Sequence, residues 1–229
     1  MPSALSVKRR AFANQLKKAR QITRRGLINK NKLNRQVHMF KRIVNLGTYT
    51  ASITSGGVPT ITPVSKAFSF QLSDLPNVSE YKALYDQYKI TGIKFTAVPR
   101  TSMTTQGVVT GTTAPVGYGQ VVTAIDYDDA ANPIAKDTLL EYGSAKFTPS
   151  SKVHSRFFRP KVLNAVWVNI ASTGYSPVKA PWVDQANDNL PHYGLKMWID
   201  PPENSSGGSN SSISYDVYAT YYFMCKNTR

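Results

Sequence analysis

The chain has 229 residues and carries 28 lysines and arginines against 13 acids, a formal net charge of +15. That length suits one large core, or one domain with an appended tail. Cys225 is the only cysteine, which excludes an intrachain disulfide, and no apolar run is long enough to span a bilayer or to form a signal-peptide core, so synthesis in the cytosol is expected.

Charge divides the sequence. Residues 1 to 42 hold 13 of the 28 cations (Lys8, Arg9, Arg10, Lys17, Lys18, Arg20, Arg24, Arg25, Lys30, Lys32, Arg35, Lys41 and Arg42), and the first acid is Asp74. The remaining 15 cations nearly balance the 13 acids. Residues 1–35 therefore read as a basic arm, disordered alone, whose partner is a polyanion such as nucleic acid. Gly26 and the asparagines at 29, 31 and 34 weaken any continuous helix there. The clusters Lys8-Arg9-Arg10 and Lys17-Lys18-Ala19-Arg20, with Arg24 and Arg25, also suit a nuclear localisation signal.

Residues 36–229 read as one folded domain. A strand is predicted over Val37–Tyr49, and Gly56-Gly57 with Pro59 marks the loop after it. Val64, Phe68, Phe70 and Leu72 alternate with polar or small residues, the period of a half-buried strand. Leu75-Pro76 stops that strand. Asn77 and Glu80 have the spacing of a capping box, and a helix over Val78–Gln87 would align Tyr81, Leu84, Tyr85 and Tyr88 in a stripe that packs on the core. From Ile90 to Val98 the β-branched residues return.

Further along, Ser102–Gly117 reads as strand and loop, and Tyr118–Asp126 as a strand running into the acidic group Asp126, Asp128 and Asp129. That group lacks an EF-hand pattern, which favours a solvated turn over a calcium site. Gly143–Thr148, Val153–Phe158 and Val162–Ile170 are strand candidates divided by Pro149 and Pro160, and Ser172–Pro191 reads as a long irregular segment around Trp182. Leu195, Met197 and Ile199 alternate with Lys196, Trp198 and Asp200. After the flexible loop at Asn204–Ser212 comes the clearest strand, with Ile213, Tyr215, Val217, Ala219, Tyr221, Phe223 and Cys225 on one face. Cys225 on that face reads as a small buried hydrophobe. Many strands and one short helix predict an all-β antiparallel sandwich, and the jelly roll is the double-sheet solution that uses about eight strands: a single eight-stranded jelly roll behind the basic arm.

No enzyme signature accompanies this pattern. His38, His154 and His192 are isolated, and neither a phosphate loop nor a nucleophile elbow occurs. No catalytic residue, metal ligand or cofactor is assigned.

The order F-x-F-x-L-x-D-L-P from Phe68, the run Leu84-Tyr85-Asp86-Gln87-Tyr88-Lys89-Ile90 and the strand ending Val98-Pro99-Arg100 resemble the core segment of circovirus-type capsid proteins, the coat proteins of small circular single-stranded DNA viruses. The stretch from Val153 to Lys161, VHSRFFRPK, is similar to the H-S-R-Y-F-x-P-K run of the same family. The resemblance implies a single jelly roll, a T=1 shell of sixty identical subunits and a circular single-stranded DNA cargo held by the arm. It further implies a virion protein that passes through host cytoplasm and nucleus, using the nuclear import machinery and a cell-surface receptor or attachment factor. The residues themselves leave open a coat protein of a small single-stranded RNA virus, or a nucleic-acid chaperone that forms no shell.

Overall fold

The structure, a computed structural model, describes residues 36–54, 60–100, 119–128, 130–169, 172–202 and 211–228. In chain order its first strands are β1 (His38–Thr54), β2 (Thr60–Thr62), β3 (Val64–Phe70), β4 (Tyr85–Pro99), β5 (Gln120–Ala124) and β6 (Lys146–Pro149). There follow β7 (His154–Phe158), β8 (Lys161–Asn169), β9 (Ser172–Lys179), β10 (Val183–Asp184), β11 (His192–Ile199) and β12 (Ser211–Thr228). Two short helices join them, α1 (Val78–Leu84) and α2 (Lys136–Leu140).

β12 lies between β1 and β4, antiparallel to both, and these three long strands are the frame of the first sheet. Short β2 extends the β1 edge, while β7 and β10 share the free edge of β4. The second sheet is built on β11: β3 covers one edge, and the other is shared by β5, with β6 beyond it, and β8, with β9 beyond it. Every pairing among the described residues is antiparallel, and the two sheets close face to face as the expected jelly-roll sandwich, with six strands in each where eight in all were expected.

What lies between the sheets is what the period of two places there. Every second residue of β12 from Ile213 to Cys225 is buried, and so are Phe68 and Phe70 of β3, Ile93, Phe95 and Ala97 of β4, and Leu195, Met197 and Ile199 of β11. Aromatic rings meet edge-on through this layer, as with Tyr81 against Phe223 at 5.2 Å and Phe70 against Tyr221 at 6.0 Å between centroids. The buried tyrosine hydroxyls find acceptors: Tyr221 donates to Asp74, Tyr88 to the Asn187 carbonyl and Tyr215 to the Ser150 carbonyl. A bulge between Asn45 and Gly47 bends β1 across this layer; Gly47 supplies the required φ of 104° and donates its N–H to the Asn45 side chain.

Several expectations are corrected. α1 ends at Leu84, not Gln87, so only Tyr81 and Leu84 of the proposed stripe are helical, and Leu84 is 58% exposed. Tyr85 and Tyr88 are buried as strand residues, because pairing with Thr228 and Cys225 gives this segment a backbone ladder that outweighs its helical spacing. Asn77 does not cap α1 with its side chain; its backbone is left-handed at φ 61°. The reach-back occurs one turn earlier, where the Gln71 N–H donates to Asp74 at 2.8 Å. Ser172–Pro191 is mostly ordered structure, since Ser172–Lys179 pairs with β8 along its length. α2 was not foreseen, and the segment Ser102–Gly117 and most of the Asn204–Ser212 loop lie outside the described residues.

Candidate nucleic-acid interface

Of the thirteen basic residues singled out in the sequence, Lys8, Arg9, Arg10, Lys17, Lys18, Arg20, Arg24, Arg25, Lys30, Lys32 and Arg35 lie outside the described residues. Lys41 and Arg42 do not: both are on β1, and the strand's alternation sends them to opposite faces of the first sheet. Lys41 stands opposite Tyr222 on the outer face, its ammonium 5.9 Å from the ring centroid. Arg42 turns the other way, over the ring of Tyr81 at 5.9 Å, and its Nη1 donates to the Lys41 carbonyl. One belongs to an open cationic face, while the other is anchored against α1.

Cations missed in the sequence extend that face. Lys89 and Lys94 lie on β4, one register row to either side of Lys41 and Tyr222, and Lys226 continues β12 beyond Met224 with its ammonium 4.4 Å from the Trp182 ring centroid. None of Lys41, Lys89 and Lys94 joins an ion pair with another described residue. The signal was present in the alternation of β4, but a lone lysine on a solvent face is ordinary until three strands bring several together.

The other singled-out groups are structural. His154 is fully buried between the hydroxyls of Thr123 and Thr148, each 2.9 Å away. Burial first, then the charges of Lys146 and Arg156, lower its pKa to about 4, so it is neutral near pH 7. Arg156 beside it is spent on the carbonyls of Thr123 and Ser144. Both ring nitrogens of His154 are thus occupied by hydroxyls within the fold. Cys225 is fully buried, and burial pushes its thiol up to about 12, far from a reactive thiolate.

The acidic group at Asp126 is not the solvated turn expected. Asp126 is buried, its carboxylate 2.7 Å from the Lys196 ammonium and accepting from the Tyr142 hydroxyl at 2.6 Å. Asp128 donates its N–H to Asp126, and Asp129 lies outside the described residues. No trio of histidine, cysteine or acidic side chains suited to a metal ion occurs among the described residues.

Comparison with known proteins accords with this fold. The family model described as circovirus capsid protein matches residues 8–229. The BFDV capsid protein solved as a 60-mer superposes with a TM-score of 0.57 at 16% identity, covering 85% of this chain and 95% of that one. The same capsid protein solved as a decamer gives a TM-score of 0.49 at 20% identity, over 83% of this chain and 100% of the other. No curated protein sequence matches the chain. A family match running from the basic arm to the last strand places this chain in the circovirus capsid protein family: it is a structural coat protein, a component of the virion, and not an enzyme.

Proposed function

We propose that the chain assembles into a T=1 shell of sixty subunits and packages circular single-stranded DNA through its basic N-terminal arm, residues 1–35, ahead of a jelly-roll domain from residue 36. The observation that carries this reading is the segregation of charge. Residues 1–42 hold 13 cations and no acid, while the rest of the chain is close to neutral. A shell built from near-neutral bodies avoids strong repulsion between its subunits, and cationic tails gathered on one side neutralise a polyanion there. Sixty such tails carry about 780 positive charges, enough to neutralise on the order of 800 nucleotides at one charge each. The 60-mer of the BFDV capsid protein supports the shell size. The clusters from Lys8 to Arg25 would direct the free subunit to the host nucleus before assembly covers them.

The test compares the full chain with one lacking residues 1–35 on unrelated single-stranded oligonucleotides across a salt series. Each phosphate contact contributes a slope of about −0.7 in log affinity against log salt for a single strand. The truncation removes 11 of the 13 cations of the tail and leaves Lys41 and Arg42, so the slope flattens while the domain stays folded, and its shells form empty or poorly filled. Equal slopes overturn the arm as the packaging element.

A further inference from the structure

The outer face of the first sheet carries an exposed aromatic group that the core does not use. In register across three strands, Lys41 of β1 stands beside Tyr222 of β12, which stands beside Gly92 of β4; in the next row come Ile43, Thr220, Lys94 and Phe157 of β7. Neighbours in such rows share a face at side-chain contact distance. Phe157 leans across Gly92 so closely that a Cβ at position 92 would lie 2.6 Å from its ring. Its ring meets Tyr222 edge-on at 5.8 Å and 74°. Glycine at 92 is thus what lets the two rings meet, yet Phe157 remains 56% exposed.

We propose that Phe157 and Tyr222, ringed by Lys41, Lys89 and Lys94, form a stacking platform on the subunit body for the bases of a single-stranded nucleic acid. The proposal rests on the reading that the cargo is single-stranded, and adds a second mode of holding it: the arm neutralises phosphates, the platform stacks bases. Charge selects this occupant over a second copy of the chain. Along the outward register rows from Met39 to Thr50 the only acid among the described residues is Asp216, and it is held by Arg100 at 3.0 Å and Thr48 at 2.6 Å. These three lysines around bare rings would repel an identical face, whereas phosphates neutralise them as bases cover the rings. β1 also leads directly from the arm onto this face, since six positions separate Arg35 from Lys41. The platform offers ring faces and ammonium groups in place of base-edge partners, so it tolerates any sequence.

The experiment uses the full chain as free subunit, with a short oligo(dT) and an abasic deoxyribose-phosphate strand of the same length. In salt high enough to suppress the ionic contacts, Phe157→Ala weakens oligo(dT) binding about ten-fold, as loss of one base–aromatic stack does. Its affinity for the abasic strand and its salt slope stay those of the parent. Phe157→Leu, which keeps an apolar contact over Gly92, behaves like Phe157→Ala and guards against a folding artefact. Phe157→Trp retains affinity, and its indole emission is quenched by oligo(dT) and not by the abasic strand. Unchanged oligo(dT) affinity in Phe157→Ala overturns the platform, and so does an equal loss on both strands. Normal DNA binding with failed shell formation overturns it in favour of a contact between copies. A salt slope insensitive to removal of the arm sinks the packaging arm alone and leaves the platform result intact.

Discussion

The outer faces of the two sheets differ in how far the chain covers them, although Phe147 beside Val122 stays 66% exposed at the far edge of the second sheet. On the second sheet, α2 lies over β5 and β11, and Val122, Ala124 and Leu139 form a small second core against Trp198. Lys196 and Asp126 are sealed beneath it, with side chains 8% and 5% exposed. On the first sheet nothing comparable covers β1, β12 and β4 among the described residues: Met39 is 77% exposed, Ile43 61% and Phe157 56%. A face closed by its own chain serves stability, and a face left bare with lysines around apolar groups serves a partner. On the proposal above, the first sheet meets the cargo and the second is its rigid back.

The strongest way to break that contrast is to open the closed face. Lys196→Met leaves the Asp126 carboxylate buried beside an apolar chain with no cation, only the Tyr142 hydroxyl and the Asp128 N–H as donors, and removing one partner of a buried pair costs about 3–5 kcal/mol. Denaturant unfolding should show that loss at neutral pH. The double variant Lys196→Met/Asp126→Leu should regain most of it, because the cost lies in the orphaned charge. A single variant as stable as the parent would show that the covering segment is open to water.

A smaller effect, specific to the space between the sheets, comes from His154. Its folded-state pKa is about 4, against an unfolded value near 6.5. Between these values the unfolded chain binds the extra proton, so this contribution is complete above pH 6.5 and is lost as pH falls toward 4. The gap corresponds to roughly 3 kcal/mol. Burial lowers His192 in the same direction, so His154→Gln should flatten part of the decline in melting temperature between about pH 7 and about pH 4.5, leaving the rest. An unchanged pH profile in the variant would mean that His154 is hydrated in the folded protein.

Much of the first sheet was legible because apolar alternation and burial coincide there. β12 shows this from Ile213 to Cys225, and so, in the second sheet, does β3 at Phe68 and Phe70. The closed face was not legible, for a physical reason: Lys196 sits between Leu195 and Met197 where alternation predicts solvent, and its partner Asp126 lies 70 positions earlier in the sequence. Only a strand covered on both faces buries a lysine in that pattern, and the covering helix has five residues and no side-chain cap to announce it. β9 escaped notice because Gly174 and Pro177 punctuate it and its pairing with β8 is carried by the backbone. The candidate interface divides the same way. The arm is visible as composition, whereas the aromatic group needs β1, β12, β4 and β7 side by side before its residues become neighbours.

Leu84 gives the smallest expected effect and the sharpest check on where helical periodicity gives out. Its spacing from Tyr81 and Tyr88 placed it in a buried stripe, and on that reading truncation costs about 2–5 kcal/mol. In the fold the helix stops at Leu84, the chain turns into β4, and the side chain is 58% exposed while Tyr81 packs on Phe40 and Phe223. Alanine also has the higher helix propensity, which offsets part of the small apolar burial that the shorter side chain gives up. Leu84→Ala should therefore change stability by less than about 0.5 kcal/mol. Tyr81→Ala, one turn earlier, should cost several times as much, because it empties an edge-on contact with two rings. Equal and large losses from both substitutions would restore the longer helix, with Leu84 turned inward.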